Sequence, residues 1–521
     1  MHKKIIFIVA LFTSVLQAQH IDPLLTEDAE AQKIWVDSIL NSMSIDEKIG
    51  QFFMVQAYSN KDEKHEQEIT EMIEKYHVGN LIFMQGTPEK QVVLNNKYQA
   101  LSKVPLLIGF DGEWGLDMRL QNTYRFPWNM TLGAIQDNQF IEKFGEHVGK
   151  HCKRLGIHVN FAPVVDINTN PKNPIIGNRS FGENKENVTQ KAIAFIQGIQ
   201  RQQVLANAKH FPGHGDTATD SHHTLPTLNF DVQRLDSVEL YPYKRVFDAR
   251  VTSVMTAHLS IPSLEPNKTL PTSLSKKVVT DLLQKKLGFL GLIFTDGLNM
   301  KGAANYATSA AIDVAAIIAG NDILLIPQDV PATITEIKKA LQFGELNENR
   351  INHSVRKILK AKYWAGLHHY QPISTENIDS DLNKIEDEIL HRKLIEQSLT
   401  LIKNSPQNIP VRNLDKQKIA YVQLGDAPKD AFLNMLKNYT SISEVSDKNL
   451  SGLITQLTSF DLVIIGVHKS NEHPWKSYEF TDKELVWLQE ISRKKNVILD
   501  LFASPYALSQ LKSFSNIETA L

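Results

Sequence analysis

Eight short apolar runs, most of them separated by stretches of helical periodicity, set the limits on what this chain can fold into. They are FFMV from Phe52, VGNLIFM from Val78, PLLIGFD from Pro105, VNFAPVVD from Val159, ANAKH from Ala206, TSVMTAH from Thr252, GLIFTD from Gly291 and NDILLIP from Asn321. Unbroken apolar runs suit strands covered on both faces, and strands that alternate with helices pair in parallel. Eight such units predict an α/β fold whose N-terminal part, residues 28–368, is a TIM-like (β/α)8 barrel closing near residue 365. Among the intervening segments, FIEKFGEHVGKHCKRLG and LSKKVVTDLLQKKLG read as helices, the second ending at a C-capping glycine, Gly288. Ser44 and Glu47 have the spacing of a capping box ahead of the first run.

The residues that end these runs carry the functional information. Asp111, Asp166, Lys209, His210, His258 and Asp296 all stand at C-terminal ends of apolar runs, the face on which barrel active sites are built. One polar residue there merely marks where a strand leaves the core; six on one face predict a site.

Past Gln371 the text changes. A polar connector, QPISTENIDSDLNKIEDE, and a helix make residues 369–395 a linker. SLTLIKN, KIAYVQLG, DLVIIGV and NVILDLF then predict a second, smaller α/β sandwich over residues 396–521. The chain stops at IETAL, shortly after a strand and a helix, which reads as an incomplete domain.

With 42% hydrophobic and 22% charged residues in 521, the chain has ample material for two cores. A formal net charge of −2 gives no electrostatic reason to expect nucleic acid, and neutral or weakly charged ligands fit better. MHKK followed by IIFIVALFTSVL and QAQ predicts a signal peptide over residues 1–19 and hence export, periplasmic or secreted, with no stable membrane insertion after cleavage. The lone cysteine, Cys152, excludes an intramolecular disulfide and a zinc–thiolate cluster.

Three motifs carry chemistry. In GLIFTDGLNM, Asp296 can serve as a nucleophile at the barrel mouth, although read alone the motif fits a helix N-cap better. In FDGEWGLDMRL, Asp111 and Arg119 suit vicinal sugar hydroxyls, or equally a buried ion pair. NPKNPIIGNRSFGEN reads as a structured loop over the mouth, with Arg179 available to pair with Asp166.

The stretch KHFPGHGDTATDSH, from Lys209, with His223 directly behind it, admits three readings. His210, His214, Asp216 and His222 can ligate a metal, but no recognised zinc spacing is present. A bland structural loop is the second reading. The third is general acid/base work by His222, its tautomer fixed by Asp220. On this reading the PGHG segment is a flexible joint.

These motifs together resemble the β-N-acetylglucosaminidases of glycoside hydrolase family 3, strongly over residues 37–363 and weakly beyond. The pattern KHFPGHG, four further residues, then DSH is specific to that branch, and the family's glucosidases and xylosidases generally lack the histidine dyad. The resemblance implies a retaining exo-acting glycosidase with Asp296 as nucleophile, His222 with Asp220 as acid/base dyad, and Asp111, Arg119, Arg179, Lys209 and His210 holding the terminal sugar. It implies a carbohydrate substrate, a peptidoglycan fragment or chitin-type oligosaccharide, with no cofactor and no metal. Where relatives often carry a second acidic residue after the nucleophile, this chain has Gly297. The alternatives are a β-glucosidase or β-xylosidase, an N-acetylglucosaminide phosphorylase, and, outside enzymes, a carbohydrate-binding scaffold.

Overall fold

The computed structural model describes residues 21–405, 408–470, 477–511, 517 and 519–521. Residues 1–19, expected from the sequence to be a signal peptide, lie outside the described residues.

All eight apolar runs are strands: β1 (Phe53–Ala57), β2 (Asn80–Phe83), β3 (Leu107–Phe110), β4 (Val159–Asn160), β5 (Leu205–Phe211), β6 (Ser253–Thr256), β7 (Leu292–Thr295) and β8 (Leu324–Leu325). Each pairs in parallel with its successor from β1 to β7, and β8 lies beside β1. An isolated parallel bridge between Phe294 and Ile323 closes the ring. Alternate residues feed two cores. Met54, Ile82, Leu107, Leu205, Leu292 and Phe294 fill the barrel interior, whereas Leu81, Phe83, Ile108 and Ile293 pack outward under the helices. Burial on both faces is why the sequence shows runs rather than alternation.

The helices form where the sequence predicts them. The helix Gln139–Arg154 is followed by Gly156 at φ +67°, and Gly288, at φ +69°, follows Lys277–Lys286. Ser44 and Glu47 complete the capping box reciprocally. Cys152 is a buried core thiol. Among the described residues no helix is long and apolar enough to cross a membrane.

A six-stranded sheet makes the second domain. Its strands are β9 (Lys403–Asn404), β10 (Ile419–Gly425), β11 (Ile442–Glu444), β12 (Leu462–His468), β13 (Val497–Phe502) and β14 (Thr519–Ala520), in the order β11-β10-β12-β13-β14-β9. Among the described strands of this sheet only β9 is antiparallel to its neighbour. The two domains are joined by the helix Ile385–Ser398, which docks on the barrel through Asp387: this carboxylate takes His147 Nδ1 at 2.7 Å and His151 Nε2 at 3.1 Å. Tyr478 and Tyr506 of the second domain reach back to the loop that follows β4.

Candidate active site

The C-terminal ends of β3, β5, β6 and β7 converge on one site. Asp111 is the residue after β3. Asn160, at the end of β4, clamps the next peptide by accepting the Gly112 N–H at 2.8 Å and donating to the Gly112 carbonyl at 3.1 Å. This fixes where the loop turns and hence where Asp111 points. Arg119 donates to Asp111 Oδ2 at 2.5 Å, and Lys209 Nζ lies 3.3 Å from Asp111 Oδ1. The ion pair foreseen as one alternative for Asp111 and Arg119 is therefore present, yet both side chains keep part of their surface open.

Below them sits a residue that the motif reading passed over. Glu113 is fully buried and takes Arg179 at 2.9 and 2.7 Å and Lys209 at 2.8 Å. Burial alone would push the Glu113 carboxyl up, but the Arg179 and Lys209 cations outweigh it and hold it far below the usual carboxylate range. The only signal in the sequence was its place two residues after Asp111.

Arg179 thus pairs with Glu113, and not with Asp166, the partner that the sequence made available to it. Asp166 is already committed: it accepts the His210 ring at 2.7 Å, the His214 N–H at 2.7 Å and the His210 N–H at 3.2 Å. These contacts turn both Asp166 oxygens to the His210–His214 segment, and among the described residues no hydrogen bond joins Asp166 to Arg179.

Asp296 follows β7, and its own N–H donates to the Thr256 carbonyl at 2.9 Å. It is not a helix N-cap, since the next helix starts at Lys301 with Met300 before it. Oδ1 accepts the Gly297 N–H at 2.8 Å. Burial works against ionisation of Asp296. His210, His258, the Gly297 N–H and His222 prevail and lower it to about 2. At neutral pH this is a carboxylate, as a nucleophile must be. His258 holds the same turn, because its Nε2 lies 3.0 Å from the Gly297 carbonyl, which can only accept; Nδ1 then accepts from Ser273 Oγ at 2.7 Å.

The loop after β5 carries the remaining groups. His222 Nδ1 lies 2.8 Å from Asp220 Oδ1, leaving Nε2 free, and more than half of the His222 side chain is exposed. His223 is exposed as well and makes no such contact with a carboxylate side chain.

The PGHG segment is not a flexible joint. Pro212, Gly213, His214 and Gly215 are all buried, and a Cβ on Gly215 would overlap the Ile167 carbonyl. His214 is the hub. Thr217 Oγ1 gives its proton to the His214 carbonyl, so it accepts from Nδ1 at 2.7 Å, and Nε2 accepts from Ser221 Oγ at 3.1 Å. Burial pushes the His214 imidazole down to about 4, so it is neutral at neutral pH. His210, His214, Asp216 and His222, considered as metal ligands, each turn to a different partner: Asp166, Thr217 with Ser221, Thr169 and Asp220.

Comparison with known proteins identifies the family. Residues 44–361 match the model of the glycosyl hydrolase family 3 N-terminal domain. Beta-hexosaminidase A of Pseudoalteromonas piscicida is 32% identical over 327 residues, which are 57% of this chain and 55% of that one. A beta-N-acetylglucosaminidase/beta-glucosidase of Cellulomonas fimi is 28% identical over 385 residues, covering 72% and 68%. The solved glycoside hydrolase family 3 beta-N-acetylglucosaminidase from a Paenibacillus species superposes with a TM-score of 0.75 at 27% identity, covering 92% of this chain and 93% of that one. An eight-stranded barrel bearing these loops, together with a family match over more than half its length, establishes that the chain belongs to glycoside hydrolase family 3.

Proposed function

We propose that the protein is a retaining exo-β-N-acetylglucosaminidase acting on peptidoglycan fragments or chitin-type oligosaccharides. The observation that carries this reading is the pairing of an ionised Asp296 with a His222 whose Nδ1 is held by Asp220 and whose Nε2 is free. In the first step a carboxylate oxygen of Asp296 bonds to the anomeric carbon as the bond to the leaving oxygen breaks, and His222 gives its Nε2 proton to that oxygen. In the second step His222 takes a proton from water, whose oxygen displaces Asp296 from the anomeric carbon. Asp220 accepts the Nδ1 proton throughout and stabilises the imidazolium between turnovers.

Asp111, Arg119 and Lys209 offer a row of acceptors and donors to the hydroxyls of a terminal sugar, and Arg179 with His210 closes its floor. The names of the hexosaminidase relatives support the acetamido sugar over glucose. The basic and apolar stretch at residues 2–16 supports an exported enzyme.

Matched nitrophenyl glycosides test the reading. The N-acetylglucosaminide is expected to be cleaved far faster than the glucoside or xyloside, and Asp296→Asn to abolish this turnover while the fold persists. Preference for the glucoside would replace the substrate assignment. Running the reaction in phosphate and finding the sugar 1-phosphate in place of the free sugar would replace hydrolysis by phosphorolysis, the second reading, which a histidine in place of an anionic acid/base residue favours.

A further inference from the structure

We infer that Tyr506 and Tyr478, from the second domain, are positioning residues for the Asp220–His222 pair in the barrel. The inference rests on His222 being the proton donor.

The Asp220–His222 pair stands on a surface loop, and His222 itself is more than half exposed, so little of its own environment holds it in place. What holds it lies one layer deeper. Ser221, between the two residues, is buried and bonded to His214, and its carbonyl accepts the Gly302 N–H at 3.0 Å. His214 and Thr217 are in turn gripped by the loop after β4. Asn173 Nδ2 donates to the His214 carbonyl at 2.8 Å and to Thr217 Oγ1 at 3.3 Å, Asn170 Nδ2 to the Thr217 carbonyl at 3.2 Å, and Thr169 Oγ1 to Asp216 at 2.8 Å. The acid/base loop is therefore built on residues 168–173.

That platform is in turn held from the other domain. Asn168 Nδ2 donates to the Tyr506 hydroxyl at 3.0 Å, and the same hydroxyl donates back to the Asn168 carbonyl at 3.0 Å. Tyr478 gives its hydroxyl proton to the Pro171 carbonyl at 2.8 Å, and the two rings lie 5.9 Å apart. A hydroxyl that accepts from a side chain and donates to the backbone of one residue fixes that residue in both position and orientation. The pair of tyrosines thus pins both ends of the stretch from Asn168 to Pro171, on which Thr169 and Asn170 make their contacts to the acid/base loop. Among the described residues neither phenol bonds to Asp296, Asp111 or Lys209, so these two tyrosines bear on the proton donor and not on the nucleophile or those sugar-holding groups.

This separation makes the inference testable with Tyr506→Phe and the Tyr506→Phe/Tyr478→Phe double variant of the full chain, assayed on aryl N-acetylglucosaminides of graded leaving-group acidity. A misplaced proton donor slows only those leaving groups that need protonation. We expect kcat/KM to fall about tenfold for phenyl and alkyl leaving groups, the order of effect of losing the two part-buried hydrogen bonds of the Tyr506 hydroxyl, and to stay within about twofold for dinitrophenyl. An equal fall across the series, or no fall at all, overturns the inference. His222→Ala runs alongside: if its loss does not grow as the leaving group becomes poorer, the proton-donor assignment itself fails. If it does grow while Tyr506→Phe stays flat, only the positioning role is lost.

Discussion

Asp220 Oδ1 holds His222 twice, accepting the ring Nδ1 at 2.8 Å and the backbone N–H of the same residue at 2.8 Å. One carboxylate oxygen thereby sets both the position of the residue and the orientation of its ring. Burial would raise the Asp220 carboxyl, but these contacts outweigh it and keep the group below its ordinary value.

The first prediction follows from that double contact. His222→Ala is expected to lower kcat on substrates with poor leaving groups by about 10²–10⁴-fold, the usual worth of a placed proton donor. Asp220→Asn should retain the backbone contact and lose the support for the imidazolium, giving a smaller drop and a shifted pH–rate profile. Steady-state kinetics across pH checks both, and an unchanged profile in Asp220→Asn would remove the carboxylate from the mechanism.

Glu113 is expected to matter for the fold as well as for the site. Glu113→Gln takes away the charge between Arg179 and Lys209, both of them largely buried, leaving Arg179 without its carboxylate and Lys209 with Asp111 alone, and breaking a buried pair in this way costs about 3–5 kcal/mol. A denaturation series should show the loss together with a raised KM. If the variant is as stable as the parent, water rather than Glu113 solvates the two cations.

Gly215→Ala should act on turnover through the backbone. The added Cβ would meet the Ile167 carbonyl, which belongs to the rigid chain beneath the loop and cannot give way as a flexible side-chain tip could. The loop is expected to lift, with kcat falling on poor leaving groups while circular dichroism remains that of the parent. Full activity in the variant would show that the loop tolerates a shift at its base.

Acid should loosen the same loop. The folded-state value of His214 is about 4, below the ordinary 6.5, so between these values the unfolded chain binds a proton that the folded one does not. The contribution of His214 is complete above about pH 6.5, declines as the pH falls toward 4 and is gone below that. Protonation at Nε2 would also turn the acceptor facing Ser221 into a donor. Protection of the amides around residues 214–221, their exchange measured against the intrinsic rate at each pH, is expected to fall over that window, and protection that stays level from pH 7 to 4 would exclude His214 as the anchor.

The sequence by itself determined the barrel. A strand buried on both faces must be apolar along its whole length, so eight strands are eight visible runs, and the residue ending each run must lie at the mouth. That logic located Asp111, Lys209, His210, His258 and Asp296 before any coordinates. The DSH spacing marked Asp220 and His222 because two residues so close in the chain can meet within one loop. What only the tertiary structure decided are the partners made across strands. Arg179 and Glu113 are 66 residues apart, His210 and Asp166 are 44 apart, and Asn168 and Tyr506 are 338 apart. Which cation takes which carboxylate depends on how neighbouring loops pack over the mouth, and no local pattern encodes it. The same holds for the PGHG segment. Two glycines and a proline suggest freedom when read alone, whereas in the fold they allow a close approach to Ile167 and bury His214 at the base of the loop.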